Sequence, residues 1–276
     1  PGHLKGLEVI TIEDSPRTIH LDAASSEPLN HAYGTNGIIT ALKISTTHHV
    51  QWHEVVIDCF SFENALQLLR ICISSAIDIN LATLLEDKIV RQLPQLFGKL
   101  KGDCRLLFLV APDGVNDLEI LAARFGACFK DFGPEDLNSG RLMREITWNH
   151  TTLHIRAKDS NWTYLQMLLP QPENQAIELI NSKWRNDILW HLEAVRQQGV
   201  QRLAALPLIK WSGEKKLRDL MNYVEDLGAI NFNPHAITVE DGGLGLIDGD
   251  QVKAKELYDP KGLMNPGKLK GWLLKE

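Results

Sequence analysis

Two glycines three residues apart stand directly before a β-branched run in the segment Gly34-Thr-Asn-Gly37-Ile-Ile-Thr40. Glycine tolerates positive φ and carries no Cβ, so backbone N–H groups beside it can approach a ligand closely. Such a segment can hold an anion or the edge of a planar ring. The same pattern is also compatible with a plain turn that leads into a strand.

A second candidate segment lies near the end of the sequence, Tyr258-Asp-Pro-Lys-Gly-Leu-Met-Asn-Pro-Gly-Lys268. Its two prolines and two glycines favour a rigid, non-helical path. Asn265 and Lys268 offer an amide and an ammonium group, which suit contact with an electron-rich ring or an anion. Packing of this segment as a C-terminal cover on the core is the alternative.

Two histidines, His150 and His154, are four residues apart in Trp148-Asn-His-Thr-Thr-Leu-His154. In a helix they would be neighbours on one face and could share a metal ion or a substrate anion. In a strand they would lie about 13 Å apart and could not. A histidine pair packed at a domain interface is an equally good interpretation.

The two glycine-rich segments resemble signature stretches of the FAD-linked oxidases, flavoproteins of the vanillyl-alcohol oxidase and para-cresol methylhydroxylase type. In that family G-T-x-G-I-[IV]-T closes the FAD-binding domain, and D-P-x-x-[LI]-x-N-P-G-K closes the chain beside the flavin. Between them lies an α+β cap that covers the isoalloxazine ring and holds the substrate, as in glycolate oxidase and D-lactate dehydrogenase. The separation of about 220 residues in this sequence is what such a cap requires.

The resemblance implies roles for ten residues, and it implies that the two segments share one wall of the flavin site. The residues implied in contact with FAD are Gly34, Thr35, Gly37, Ile38, Asn265 and Lys268. The residues implied to face the substrate are His150, His154, His235 and Glu240. A tryptophan-containing helix is frequent in the family at the position of Trp148, which favours the helical interpretation there. Of the four, His235 and Glu240 are candidates for proton abstraction, because a hydride leaves an alcohol only as its hydroxyl proton is taken.

The sequence departs from the family pattern in three places. Hydroxy-acid enzymes of the family carry Glu-His-Gly-Ile-Gly where this chain has Glu240-Asp-Gly242, and their G-D-G-N-x-H metal motif corresponds to His191-Leu-Glu-Ala-Val-Arg196. We therefore expect no bound metal. The family's first half, with the glycine-rich loop that cradles the FAD pyrophosphate, has no counterpart, so we do not expect this chain alone to retain FAD.

Hydrophobic periodicity predicts the elements that position these residues. The expected fold is α+β, an antiparallel sheet with helices on one face, as in a ferredoxin-like cap domain. The resemblance to the FAD-linked oxidases adds the tail of a para-cresol methylhydroxylase-type FAD-binding domain. Residues 1–47 are predicted as that C-terminal remnant, 48–230 as the substrate or cap domain, and 231–276 as a C-terminal segment returning to the flavin site. Predicted strands cover 7–12, 18–21, 41–45, 55–60, 104–110, 127–132, 163–169, 188–195 and 202–209; predicted helices cover 62–75, 83–98, 116–125, 172–181 and 213–227.

Composition limits the class of protein. The 276 residues are 44% hydrophobic and 23% charged, which is typical of a soluble globular chain. A net charge of −6 and the lack of a long basic run argue against a nucleic-acid partner. The four scattered cysteines favour buried free thiols in a reducing compartment. No apolar run reaches the ~20 residues of a bilayer span and no signal peptide is recognisable, so we expect a cytoplasmic protein.

The leading hypothesis is the cap and C-terminal part of an FAD-dependent oxidoreductase, a dehydrogenase or oxidase. By resemblance, hydride would pass to flavin from a hydroxylated substrate such as the 2-hydroxy acids glycolate or lactate. Electrons would then go to a quinone, a cytochrome or another acceptor, and the N-terminal FAD-binding half would be a necessary partner. The alternative is a non-catalytic, ferredoxin-like binding module that has kept the family segments as scaffold.

Overall fold

Residues 3–140, 142–197, 199–233, 236–243 and 245–273 are described by the computed structural model of this chain. Their contacts divide them into two units: unit 1 takes its residues from 1–49 and 232–276, and unit 2 from 50–231. Both units combine antiparallel strands with helices, which confirms the predicted α+β class. The assignment of the units to an FAD-binding remnant, a substrate cap and a returning segment stays a prediction.

The strands in chain order are β1 (Leu4–Ile10), β2 (Thr18–Asp22), β3 (Ile38–Ile44), β4 (His53–Cys59), β5 (Ile79–Glu86), β6 (Cys104–Val110), β7 (Cys128–Pro134), β8 (Trp162–Tyr164), β9 (Gln166–Leu168), β10 (Ile188–Leu189), β11 (His191–Gln197), β12 (Val200–Ala205), β13 (Leu208–Lys210) and β14 (Ile230–Phe232). The helices are α1 (Phe62–Ser74), α2 (Asp87–Val90), α3 (Val115–Arg124), α4 (Asn149–Lys158), α5 (Glu173–Trp184), α6 (Glu214–Asp226), α7 (Val239–Gly242), α8 (Gly249–Tyr258) and α9 (Lys270–Leu273).

Unit 2 contains two copies of one β-α-β-β-α-β arrangement. The first copy is β4-α1-β5-β6-α3-β7, and the second is β9-α5-β11-β12-α6-β14. In the described residues their strands form one eight-stranded sheet, in the order β14-β9-β12-β11-β5-β6-β4-β7. From each end of the sheet to its middle, the four strands of a copy follow the order last, first, third, second. At the middle, β5 of the first copy pairs antiparallel with β11 of the second. The predicted ferredoxin-like arrangement is present twice.

Both faces of this sheet are buried. Leu106 and Phe108 of β6 point into a core that also contains residues of α1, α3, α5 and α6. The alternate residues Leu107 and Leu109 point into a second core with residues of α2 and α4. The long helices of unit 2 other than α4 thus lie on one face, as predicted. Burial on both faces explains why residues 106–110 of β6 form a continuous apolar run.

The helix predicted for residues 83–98 is wrong over most of its length. Residues Ile79–Glu86 form β5, which pairs with β6 and β11, and α2 contains only Asp87–Val90. A short apolar run that is buried on both faces has no period that separates strand from helix. Pro94 then prevents α2 from continuing as a regular helix.

Three strands predicted as continuous are each divided in two. The breaks fall at Leu165, at Trp190 and at Leu206-Pro207, and one piece of each pair, β8, β10 and β13, contributes to a separate three-stranded sheet. Leu165 and Trp190 are fully buried. The apolar pattern therefore runs through the bends without interruption, so periodicity alone does not reveal them.

Unit 1 is built on an antiparallel sheet in the order β2-β1-β3, which confirms the hairpin and the third strand predicted there. Leu7 and Val9 of β1 pack with Leu29 and with Ala254 of α8. Helix α8 begins after Asp248, whose carboxylate accepts hydrogen bonds from the N–H groups of the first turn. None of the helices in the described ranges is both long enough and apolar enough to cross a membrane.

Candidate flavin-contact site

The two glycine-rich segments lie side by side in unit 1, as predicted. Nδ2 of Asn265 donates a hydrogen bond to the carbonyl oxygen of Tyr33 at 2.6 Å and approaches that of Gly34 at 3.3 Å. The residues that form this contact are more than 230 positions apart in the sequence. One side chain of the C-terminal segment therefore fixes the path of the N-terminal segment.

A buried ammonium group reinforces this junction. Lys255 is 1% exposed, and its Nζ donates to the carbonyl oxygens of Thr35 (2.9 Å) and Met264 (3.1 Å) and to the carboxylate of Asp259 (2.6 Å). All three donors of the ammonium are therefore satisfied. Asp259, which is fully buried, also accepts from the N–H groups of Leu263 and Met264. Helix α8 thus holds both segments through one charged pair.

Left-handed backbone is concentrated in the same place. Tyr33 has φ +51° and Asn265 has φ +42°, which are uncommon values for residues other than glycine. Gly34 has φ +66°, and a Cβ added there would lie 2.9 Å from Nδ2 of Asn265. Gly37 has φ +127°, and its Cβ would collide with Val9. Glycine is favoured at both positions because a side chain would have a strained φ and would crowd Asn265 at position 34 or Val9 at position 37.

The residues predicted to contact flavin divide into an exposed rim and an internal support. Gly34, Ile38 and Asn265 are exposed and Gly37 is half-buried. Lys268 is half-buried, and its ammonium forms no hydrogen bond or ion pair with any described residue. Thr35 is different: it is fully buried, and its hydroxyl donates to the carbonyl oxygen of Ala32 at 2.6 Å. Among the residues predicted to contact flavin, Lys268 therefore has a cation without a partner in the described residues, and the Asn265 amide is already engaged.

Glu240 lies inside unit 1. It is 4% exposed, and Oε1 accepts a hydrogen bond from the N–H of Gly271 in α9 at 3.0 Å. Oε2 is buried and has no partner in the described residues. Its neighbour Asp241 is exposed, and hydrogen bonds from Lys270 and Thr238 lower the pKa of that carboxyl below its usual value. The fourth candidate of the substrate-facing set, His235, lies outside the described residues.

His150 and His154 belong to α4 in unit 2, which confirms the helical interpretation of their segment. Both rings face Glu145: Nδ1 of His150 lies 3.6 Å from its carboxylate, and Nε2 of His154 lies 2.8 Å from its carbonyl oxygen. The two histidines thus lie on the same face of α4, and both contact Glu145, which precedes the helix. Among the residues that the structure describes, no group of three or more His, Cys, Asp or Glu side chains could hold a metal ion.

The sequence analysis missed a buried polar cluster in unit 2. The carboxylate of Glu193 accepts hydrogen bonds from Oγ1 of Thr83 (2.5 Å), Nε2 of His191 (2.7 Å) and the backbone N–H of Trp148 (2.7 Å). His191 and Glu193 are almost fully buried, and Nδ1 of His191 has no partner in the described part of the chain. The pattern His-x-Glu in β11 places both side chains on one face of the sheet. This alternation is the feature of the sequence from which the cluster could have been predicted.

The cysteines are free, and three of the four are buried. Burial raises the pKa of Cys59 and of Cys72 to about 12, and it raises the pKa of Cys104 further. These thiols stay protonated at neutral pH and are poor nucleophiles. Cys128 is only half-buried, so the prediction of buried thiols fails for this residue, which starts β7 at the edge of the sheet.

Comparison with known proteins gives matches in structure alone. No sequence-family model matches the chain, and no curated protein matches it. Two structures of alkyldihydroxyacetonephosphate synthase are similar, with TM-scores of 0.59 and 0.60 and sequence identities of 15% and 14%. In each case the match covers 96% of this chain and 53% of the synthase chain. This chain therefore has the fold of about half of that enzyme.

Proposed function

We propose that this chain is the substrate-cap and C-terminal part of an FAD-dependent oxidoreductase. The observation that carries the proposal is the hydrogen bond from Asn265 to Tyr33, which joins the two segments that resemble FAD-linked oxidases. The similar fold of alkyldihydroxyacetonephosphate synthase, an enzyme of the FAD-linked oxidase family, supports it. Since the chain spans about half of that enzyme, the activity is proposed for a protein that includes an FAD-binding half.

In this proposal the exposed rim faces the flavin. FAD supplies the hydride acceptor, and the protein supplies binding, orientation and charge. The backbone at Gly267 is open, since no atom lies within 4 Å of a Cβ added there, and it allows a flat ring to approach closely. The ammonium of Lys268, which has no partner among the described residues, is the group available to attract an electron-rich edge of the ring. Asn265 and Lys255 act as positioning residues, because their donors hold the two segments together.

Oxidation of a hydroxylated substrate also needs a proton acceptor. We assign this role to Glu240, through the carboxylate oxygen that has no partner in the described residues, or to His235. His150 and His154 are proposed to face the substrate. Glycolate and lactate are the first substrates to test, and a quinone or a cytochrome is the proposed class of electron acceptor.

The test is the colour of the protein produced together with its FAD-binding half. We expect a yellow protein with the visible absorbance of oxidised flavin, which a 2-hydroxy acid bleaches in the absence of air. Asn265→Ala should reduce the flavin retained per protein, whereas Asn231→Ala, in unit 2, should not. Unchanged flavin content in Asn265→Ala would count against the proposed contact.

A non-catalytic binding module is the second candidate, and one set of observations favours it. Side-chain groups of Asn265, Thr35 and Glu240 are engaged in hydrogen bonds inside unit 1, as they would be in a scaffold that has no chemistry. A colourless protein, even when the FAD-binding half is present and folded, would support this alternative.

A further inference from the structure

Two cysteines that are far apart in the sequence are direct neighbours in unit 2. In the antiparallel register of β4 with β6, Cys59 is paired with Cys104. Directly paired residues share one face of the sheet, and both cysteines belong to the core that also contains residues of α1 and α3. Both thiols are free, and each residue is only 1% exposed.

The paired position suits a disulfide bond. Directly opposite residues of antiparallel strands have Cα atoms about 4.5–5.5 Å apart, and a disulfide requires about 4.4–6.8 Å. The register of the strands therefore does not have to change. The charges around Cys104 also indicate that the two sulfur atoms are close: burial is the main cause of its raised pKa, and the charges of Glu86 and then of Cys59 add to it.

The other two cysteines have no such position. Cys128 is paired with Asp58. Since successive residues of a strand point to opposite faces, Cys128 lies on the face of β4 away from Cys59. Cys72 lies in α1, so it contacts the same core but is not opposite either cysteine in the sheet. The register thus selects one pair of the four.

The pair lies at the ends of its strands, beside exposed residues. Cys59 is the last residue of β4 and Cys104 is the first residue of β6. Phe60 and Asp103, which flank them, are exposed. The N–H of Asp103 donates to the carbonyl oxygen of Cys59 at 2.9 Å and closes this end of the ladder. Local opening at a strand end costs less than global unfolding, and it exposes both thiols to solvent, where burial no longer raises their pKa.

We propose that Cys59 and Cys104 are a redox-active pair, which a low-molecular-weight disulfide oxidises to an intramolecular disulfide. The thiolate of one cysteine attacks a sulfur of the small disulfide, whose S–S bond breaks and releases one small thiolate. The thiolate of the other cysteine then attacks the mixed disulfide and releases the second small thiolate. The two cysteines lose two electrons and two protons, and the small disulfide gains both and becomes two thiols. This inference is independent of the proposed function.

The test treats the folded chain with oxidised glutathione at about pH 8, near the ordinary pKa of a thiol. Remaining thiols are blocked with N-ethylmaleimide, and the peptides are mapped without reduction. Trypsin places the four cysteines in four different peptides, 44–70, 71–88, 102–105 and 125–130. We expect a link between 44–70 and 102–105 that dithiothreitol removes. Glutathione should modify Cys128 before this link forms, because Cys128 is only half-buried.

Two variants and one further measurement serve as controls. Cys104→Ala should abolish the link, whereas Cys72→Ala, in the same core, should retain it. Hydrogen exchange of the Asp103 N–H should be about tenfold slower in the oxidised wild-type chain than in the reduced chain, because the link fixes the strand ends that this N–H joins.

Four results would overturn the inference. The first is a chain that shows no link after Cys128 has reacted completely, and the second is a link that forms only in urea. The third is a mixture of links among all four peptides, as random pairing in an unfolded chain gives. The fourth is unchanged exchange of the Asp103 N–H in the oxidised chain. The peptide map of the wild-type chain decides the first three, even if a variant does not fold.

Discussion

The buried ammonium of Lys255 gives the sharpest test of how unit 1 is held together. Lys255→Met keeps a long apolar stem and removes the charge. Three acceptors then lose the donor that Lys255 supplies: the carboxylate of Asp259 and the carbonyl oxygens of Thr35 and Met264. The Asp259 side chain is 0% exposed, so water cannot replace the lost partner without a structural change.

The expected cost follows from this burial. Removing one partner of a buried ion pair typically destabilises a protein by about 3–5 kcal/mol, because the other charge is left uncompensated. The same change in an exposed pair has little effect. Lys253 lies on the same helix and pairs with Asp250, with side chains 70% and 72% exposed. Lys253→Met is therefore the matched control, and we expect no measurable change in stability.

Hydrogen exchange at Leu263 and Met264 reports on this junction, since both N–H groups donate to Asp259. A loss of 3 kcal/mol corresponds to exchange about a hundredfold faster, at tenfold for each 1.4 kcal/mol. Lys255→Met should show this acceleration, and Lys253→Met should not. A second variant, Lys255→Met with Asp259→Asn, removes both charges and should recover part of the loss. If Lys255→Met exchanges as slowly as wild type, or if the double variant is worse than the single one, the charge-pair reasoning is wrong.

Three further predictions concern backbone, thiols and pH. Gly34→Ala should destabilise unit 1 more than Gly267→Ala in chemical denaturation. Both residues have positive φ, but only a Cβ at position 34 would lie 2.9 Å from Asn265. Equal losses of stability in the two variants would contradict the steric explanation. Under native conditions a thiol reagent should label Cys128 first, and mass spectrometry that finds a buried cysteine labelled equally fast would contradict the raised pKa values. Burial raises the pKa of Glu86 above its ordinary 4.5, so the folded state holds this proton to higher pH than the unfolded chain does. The resulting contribution to the free energy of unfolding is present below pH 4.5 and is lost as pH rises through the pKa of the folded state. Glu86→Gln should remove that part of the pH dependence of the unfolding free energy, and an unchanged profile would refute it.

Segments that depend on local chemistry can be predicted from the residues alone. Helix α1 begins after Ser61, whose hydroxyl accepts from the N–H of Asn64, and α6 ends before Gly228 at φ +91°. Caps and positive φ depend on a few neighbouring residues, so composition and spacing predict them. The glycines and prolines of the two glycine-rich segments likewise restrict the backbone locally, but the predicted contact with flavin depends on the family resemblance.

Features that depend on partners distant in the sequence are set by contacts in the folded chain. Residues 79–86 became a strand because β6 and β11 lie on both sides of them. The hydrogen bond from Asn265 to Tyr33 and the one from Gly271 to Glu240 each join residues that are far apart in the sequence. The burial of Thr35 likewise depends on elements that pack around it. Sequence pattern reports which faces are apolar, but pairing, burial and the partners of a polar group are set by which elements meet in space.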